Sequence, residues 1–347
     1  MVKILSRELE NAGYQTFFID RSFQLKSSKY FSINENLVNL NNSVITQFFL
    51  MIKFISQNRK TICSFNIVHG HLSFGIMFSL LIKILCGRHV KVISTIHSTG
   101  MIGRIQDFAL AFASLLLLNG TCLVANSDRV NWIPSRLSQK IRIIENGINF
   151  KNATPAFYYS SDYDYSALKL GTICRLHPDR NPVRYIDLII HLNRLLDKSK
   201  KIKLVVIGDG PLKKEMVEII HMRNLQNEII ILDSKSDKSA FFSSIDIYVS
   251  INVGVIVGIA GLEAIAHHVP VVSFQNRKTH DGSLDWVPSS NSPESLAPQI
   301  LALLLDSNKL KYIQVSQWEY AKERFSSDTM TQKYIDLYLE LGAGNVR

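Results

Sequence analysis

Residues 258–270 read GIAGLEAIAHHVP: a glycine-bearing loop opens a helix that soon carries Glu263 and ends just before an apolar strand. The N–H groups at a helix start lack partners within the helix, and with the positive end of its dipole they make a ready phosphate site. A carboxylate one turn in can accept hydrogen bonds from a ribose diol. The plainer reading is that Glu263 is an acidic residue favoured by that same dipole. Either way, helix gives way at once to the run VPVVS, the kind of junction from which α/β folds are built.

Two segments nearby have the same grammar. Residues 204–212 read LVVIGDGPL, an apolar strand ending in a tight polar turn. Gly208 and Gly210 permit positive φ and close backbone approach, Asp209 is placed to cap the helix that follows, and Pro211 suits its first turn. Alone, this is a generic strand-to-helix turn. Residues 171–182 read GTICRLHPDRNP, where a strand delivers Arg175 and, five residues on, Arg180 into a loop before a helix. Arginine is permanently charged and grips phosphate oxygens two at a time, so the pair suits a diphosphate. Open α/β sheets bind ligands at this end of their strands. Two solvated loop arginines are the alternative.

Short runs rich in Val, Ile and Phe alternate with longer segments of helical period along the whole chain, the pattern of a parallel sheet covered on both faces. The fold class is therefore α/β. In the first half, strands are expected near residues 16–19, 66–69, 90–96, 122–125 and 141–144. A second series follows at 169–173, 203–207, 228–232, 246–250 and 269–273. Between the two, residues 148–165 carry Asn, Pro, Ser, Asp and four tyrosines without clear period, and read as a linker. We expect a domain over 1–150, a second over 151–325, and a C-terminal helix over 326–347 that packs back on the first. The opening is unusual, since residues 3–10 already read as helix, where a doubly wound domain normally starts with a strand and a glycine-rich turn. Either the true start lies upstream or the first strand has been lost.

A chain of 347 residues with 46% hydrophobic and 20% charged content can bury two ordinary cores, which excludes disorder as the default. Cys63, Cys86, Cys122 and Cys174 stand singly, so neither a zinc knuckle nor a disulfide framework is indicated, and a reducing cytoplasm fits. The longest apolar stretches, 73–86 and 108–118, fall short of the roughly 20 residues needed to cross a bilayer and read as buried helices. Residues 1–150 carry 16 Lys plus Arg against 7 Asp plus Glu, while the remainder carries 23 against 22. A basic domain beside a neutral one points to an anionic surface, a membrane leaflet or nucleic acid, as partner. A merely solvated basic face is the alternative. Recognition motifs and aromatic interleaving for nucleic acid are missing, so no nucleic-acid partner is expected.

Histidines mark the first half. His97, in STIHSTG at residues 94–100, stands at the carboxyl end of a strand, where its pKa should lie close to working pH. His69 and His71, spaced by two on a strand, share a face, yet no third or fourth ligand accompanies them, so they read as strand-end packing and no metal is expected. His267 and His268 near a helix end read as favourable partners of its dipole.

Taken in order, the CRL loop, the IGDGP turn, the strand SIDIYVS and the GLEAIA helix ending in VPVVS resemble glycosyltransferase family four. IENGI at residues 144–148 is similar to that family's asparagine-glycine turn, and SNSPESLAPQILALLLD at 290–306 to the segment after its last nucleotide-binding strand. The resemblance covers about residues 3–330. It implies a GT-B architecture, two Rossmann-like domains facing each other across a cleft, and retaining transfer from a nucleotide diphosphate sugar without cofactor or metal. It further implies that Arg175 neutralises the donor diphosphate, with Arg180 where the family usually has lysine. By the same resemblance, the amides of Ile259 and Ala260 after Gly258 hold phosphate, Glu263 binds the ribose, Gly208 and Gly210 shape the donor-site turn, and His97 is catalytic. The acceptor expected is a saccharide or, since the basic first domain suggests docking on anionic lipid at the inner face of the membrane, a lipid-linked saccharide, in cell-surface polysaccharide or glycolipid synthesis. One position departs from the family: its first glutamate, eight residues before Glu263, is Val255 here. Valine cannot hydrogen-bond a sugar, which keeps open a non-catalytic relative that binds nucleotide sugar or a partner transferase.

Overall fold

A computed structural model describes residues 2–19, 25–27, 44–87, 90–97, 105–124, 133–150, 168–196, 201–251, 257–274 and 287–342. The chain forms two compact units: Met1–Gly147 with Ser327–Arg347, and Ile148–Ser326.

The first unit starts with α1 (Val2–Asn11) and an antiparallel pair, β1 (Phe17–Ile19) with β2 (Leu25–Ser27). It continues through α2 (Val44–Gln57), α3 (Arg59–Cys63), β3 (Ile67–His71), α4 (Leu72–Cys86), β4 (Lys91–Ile96), α5 (Ile105–Leu117), β5 (Gly120–Leu123), α6 (Ser135–Ser138) and β6 (Ile141–Ile143). Strands β3 to β6 pair in sequence order, all parallel. The strand read at 16–19 thus exists but joins a separate two-stranded pair rather than the parallel sheet.

The two faces of that parallel sheet have different covers. On one, Met51, Ile55, Ile76, Ile82 and Leu118 from α2, α4 and the end of α5 pack with Val92 and Ile96. On the other, Ile93 and Cys122 meet Leu5 and Leu9 of α1 and Tyr334, Leu337 and Tyr338 of the last helix, α13 (Ser327–Glu340). Neighbouring strand residues point to opposite faces, so Val92 and Ile93 serve different cores. Buried Glu145 is held by Lys333 of α13 at 2.8 Å. The stretch at 73–86 is the largely buried α4, whereas α5 leaves Phe112, Leu116 and Leu117 exposed, so the expectation of a buried helix there is corrected. Among the described residues, no helix is long and apolar enough to cross a membrane.

The second unit runs β7 (Lys169–Ile173), α7 (Arg184–Leu195), β8 (Lys203–Ile207), α8 (Lys213–Met222), β9 (Ile229–Leu232), α9 (Lys238–Ser243), β10 (Ile247–Ser250), α10 (Gly258–Ala266), β11 (Val271–Ser273), α11 (Pro293–Leu304) and α12 (Ser307–Phe325). Its five parallel strands stand in the order β11-β10-β7-β8-β9. Leu204 and Val206 of β8 face the core formed with α7, α8 and α11, and Val205 and Ile207 face the one formed with α9, α10 and α12. Both alternating sets are apolar because helices cover both faces. Capping fixes where helices start: Asp237 accepts from the Ser239 amide at 2.8 Å, and Asp306 from the Lys309 amide at 3.0 Å. The expected linker falls mostly on residues 151–167, outside the described residues.

Candidate functional site

The strand order of the second unit places the site. Strand β7 is first in the chain and central in the sheet; β8 and β9 extend it to one side, β10 and β11 to the other. Between β7 and β10 the winding reverses, the position where open α/β sheets take ligands, outside the carboxyl ends of the strands. The loop after β7 carries Arg175 and Arg180; the helix beyond β10 is α10, carrying Gly258, Ile259, Ala260 and Glu263.

The arginine loop is built against the glycine turn. The Cys174 amide donates to the Ile207 carbonyl at 3.0 Å, the Leu176 amide to Asp209 at 2.9 Å, and the Leu212 amide returns to the Leu176 carbonyl at 2.9 Å. A Cβ on Gly208 would stand 2.2 Å from the Cys174 carbonyl oxygen, and one on Gly210, at φ +148°, 2.4 Å from that of Leu176. These glycines therefore let two backbones touch, and they position the arginines through that contact. The Asp209 side chain accepts from the Gly210 amide at 2.8 Å, while α8 opens at Leu212 without a side-chain cap. The expected capping role of Asp209 is corrected: the carboxylate closes the turn.

Arg175 is exposed and bonds Asp179 at 3.0 Å, and His177 Nδ1 lies 2.7 Å from the same carboxylate. Arg180 closes a single 3-10 turn, Pro178–Arg180, and its charge opposes the burial that pushes the Cys174 thiol up to about 11. Asn181, in the left-handed conformation at φ 46°, ends that turn and starts the approach to α7.

At α10, Gly258 takes φ +78°, and the buried Ser250 hydroxyl donates to the Val257 carbonyl at 3.0 Å, fixing the helix entry. Ile259 is exposed. Glu263 sits partly exposed with Lys238 Nζ at 2.8 Å. Lys238 thereby joins the candidate site, a residue that the sequence reading missed. Nothing in its immediate neighbourhood signals it, because its partner lies 25 positions away and the two meet only once α9 and α10 pack on one face. Val255 lies outside the described residues.

His267 and His268 are aromatic fillers. His267 stacks on Phe242 at 5.0 Å and His268 on Trp318 at 5.0 Å, and burial holds the pKa of both below the ordinary value. The expected role as charged dipole partners is corrected, since desolvation favours the neutral ring.

In the first unit, three histidines form a row at the carboxyl ends of β3 and β4. His71 Nδ1 is 2.9 Å from His97 Nε2, and the rings of His69 and His71 are 4.0 Å apart. His69 joins Tyr338 at 2.8 Å and Thr95 at 2.6 Å, and Thr95 joins Tyr334 at 3.0 Å. Burial lowers His97 to about 4 and, with the neighbouring His97, His71 to about 3. The expectation of a His97 pKa near working pH is thus corrected: the ring is neutral at pH 7. Among the described residues, no group of three His, Cys, Asp or Glu could hold a metal ion.

Two family models match the chain in tandem: Glycosyltransferase Family 4 over residues 1–152 and Glycosyl transferases group 1 over residues 167–306. The putative glycosyltransferase EpsF of Bacillus subtilis is 24% identical over 80% of this chain and 73% of its own length. The O-antigen biosynthesis glycosyltransferase WclY of Escherichia coli is 22% identical over 84% and 83%. Among solved structures, Anabaena HepE in complex with UDP and glucose superposes with a TM-score of 0.64 at 14% identity, covering 86% of this chain and 84% of that one. A Staphylococcus aureus TarM variant in complex with fondaparinux, alpha-GlcNAc-glycerol and UDP gives 0.64 at 15%, covering 84% of this chain but only 59% of TarM. The fold is that of a GT-B protein. The chain belongs to the family-four, group 1 glycosyltransferases.

Proposed function

We propose that this protein transfers a glycosyl group, with retention of configuration, from a nucleotide diphosphate sugar to a saccharide or lipid-linked acceptor in cell-surface polysaccharide or glycolipid synthesis. The observation that carries the reading is the winding reversal between β7 and β10, with Arg175 and Arg180 in the segment that follows β7 and the α10 start beyond β10. Charge that builds on the departing diphosphate meets two guanidiniums and oriented amides, which stabilise the transition state more than the ground state. Glu263 takes the ribose, and neutral His97 offers a hydrogen bond to sugar or acceptor. The relative WclY, named for O-antigen biosynthesis, and the UDP-bound HepE and TarM support the substrate classes. The work is placed at the cytoplasmic face of a membrane, whose anionic lipid the basic first half favours.

The decisive measurement is nucleotide diphosphate binding by titration calorimetry together with transfer from UDP-sugars. Arg175→Ala should weaken binding about 10- to 100-fold, as expected for one charge-assisted contact of roughly 1.5–3 kcal/mol, without changing the melting temperature. Unchanged affinity would remove the arginine loop from the site.

Val255 favours a second reading, binding without turnover. Val255→Glu tests it: a variant that gains transfer, beside a natural chain that binds donor but yields no product, would establish that reading.

A further inference from the structure

We infer that the first unit docks on an anionic lipid leaflet through the outward side of its α2–α4–α5 helix layer, with Phe49, Ile84, Leu116 and Leu117 entering the interface and Lys53 and Lys60 meeting the headgroups. The inference deepens the membrane part of the proposed function by naming the surface, and it rests on that part alone.

Three observations converge on this layer. First, the helices contact one another and share one face of the parallel sheet, with Met51, Ile55, Ile82 and Leu118 turned inward. Second, their outward positions are apolar where a solvated layer would be polar. Phe49 and Ile84 are each 64% exposed, Leu116 49% and Leu117 47%. An amphipathic surface helix normally sets charged residues opposite its core stripe; here α5 has leucines at both outward positions 116 and 117, and α2 has phenylalanine at 49. Apolar exposure concentrated in one layer marks an interaction surface, unlike scattered single residues.

The third observation selects the occupant. No Asp or Glu occurs between Glu35 and Asp107, a span that carries Lys53, Arg59, Lys60, Lys83, Arg88, Lys91 and Arg104. Lys53, Arg59 and Lys60 are exposed and have no acidic partner among the described residues. A protein partner would be matched by charges of both signs, whereas α2, α3 and α4 carry cations and no acid, interleaved with large exposed apolar side chains, and so complement an anionic leaflet. There apolar burial and headgroup attraction add, as they do for helices lying in the interface plane. The helices are too short to span the bilayer and need only shallow insertion.

The test is flotation of the full chain with vesicles of phosphatidylcholine, with or without phosphatidylglycerol, without donor or acceptor. Binding should require phosphatidylglycerol and weaken as salt rises. Phe49→Ser with Leu116→Ser should lower the bound fraction at least tenfold. Lys53→Gln and Lys60→Gln should each cost about fivefold, the weight of one basic residue near such a surface. All four side chains are exposed, so the variants should melt like the natural protein and bind nucleotide diphosphate equally well. That separates failure here from failure of the transferase reading. Indifference to lipid charge, or unchanged binding in the variants, would overturn the inference. So would a dimer in solution that Phe49→Ser dissolves while vesicles are ignored, which would assign the face to a second copy of this chain.

Discussion

The amide of Leu176 donates to the carbonyl of Asp209 at 2.9 Å, so the loop that carries the arginines and the turn that carries the glycines are two sides of one backbone contact. The placement of Arg175 and the packing of the turn are therefore inseparable. The side chain of Gly208 is absent because the Cys174 carbonyl occupies its place.

Gly208→Ala should therefore act first on stability. A Cβ 2.2 Å from a backbone oxygen forces the strands apart, and overpacking of this kind costs about 1–3 kcal/mol. Thermal unfolding should show the loss. Nucleotide affinity should fall with it, because Arg175 follows directly on the displaced Cys174. An alanine variant with unchanged melting temperature would contradict the contact.

Lys238 and Glu263 should be coupled. Their ion pair at 2.8 Å is half exposed, so a double-mutant cycle with Lys238→Met and Glu263→Gln, read by nucleotide binding, should give an interaction of about 0.2–1 kcal/mol that shrinks in high salt. Glu263→Gln alone should weaken nucleotide binding more than the deoxyribose analogue. Equal losses for both would separate Glu263 from the ribose.

On the proposed function, Asp179 should compete with the donor for Arg175. Removing that exposed ion pair by Asp179→Asn should raise affinity for a nucleotide diphosphate by up to about fivefold, the upper range for such pairs. Calorimetry would detect it, and weaker binding would show that Asp179 holds the guanidinium in place instead.

The histidine row sets the acid limit of the first unit. With folded pKa values lowered to about 4 for His97 and about 3 for His71, their contribution to stability is complete above the ordinary value near 6.5 and drains away as pH falls through those lower values. Denaturant midpoints should thus hold from pH 7.5 to 6.5 and decline below. In the same range, kcat should show no histidine titration near 6.5. His71→Asn should loosen His97 and raise its pKa, and a two-dimensional NMR titration of the imidazoles would report it.

Much of the frame was legible in the sequence, because parallel strands covered on both faces announce themselves as apolar runs: KLGTI and KLVVI became β7 and β8 as read. The arginine loop and the α10 start were legible too, since glycine, arginine and a helix opening keep their meaning locally. What could not be read were pairings across sequence. Lys238 meets Glu263 only through helix packing, His71 meets His97 across two strands, and Tyr338 reaches His69 from 269 residues away. Desolvation was equally invisible, and it turned His267 and His268 from charged helix-end residues into neutral rings stacked on Phe242 and Trp318.

The last helix gives the chain an order of completion. Tyr334 and Tyr338 on α13 close the first unit's second core, yet they are synthesised after the whole of Ile148–Ser326. On the ribosome the middle of the protein can finish folding while its beginning still waits for its final wall. A nascent chain released before Ser327 would display a settled second unit and a first-unit sheet with one face bare, so quality control during translation falls on the end that was made first.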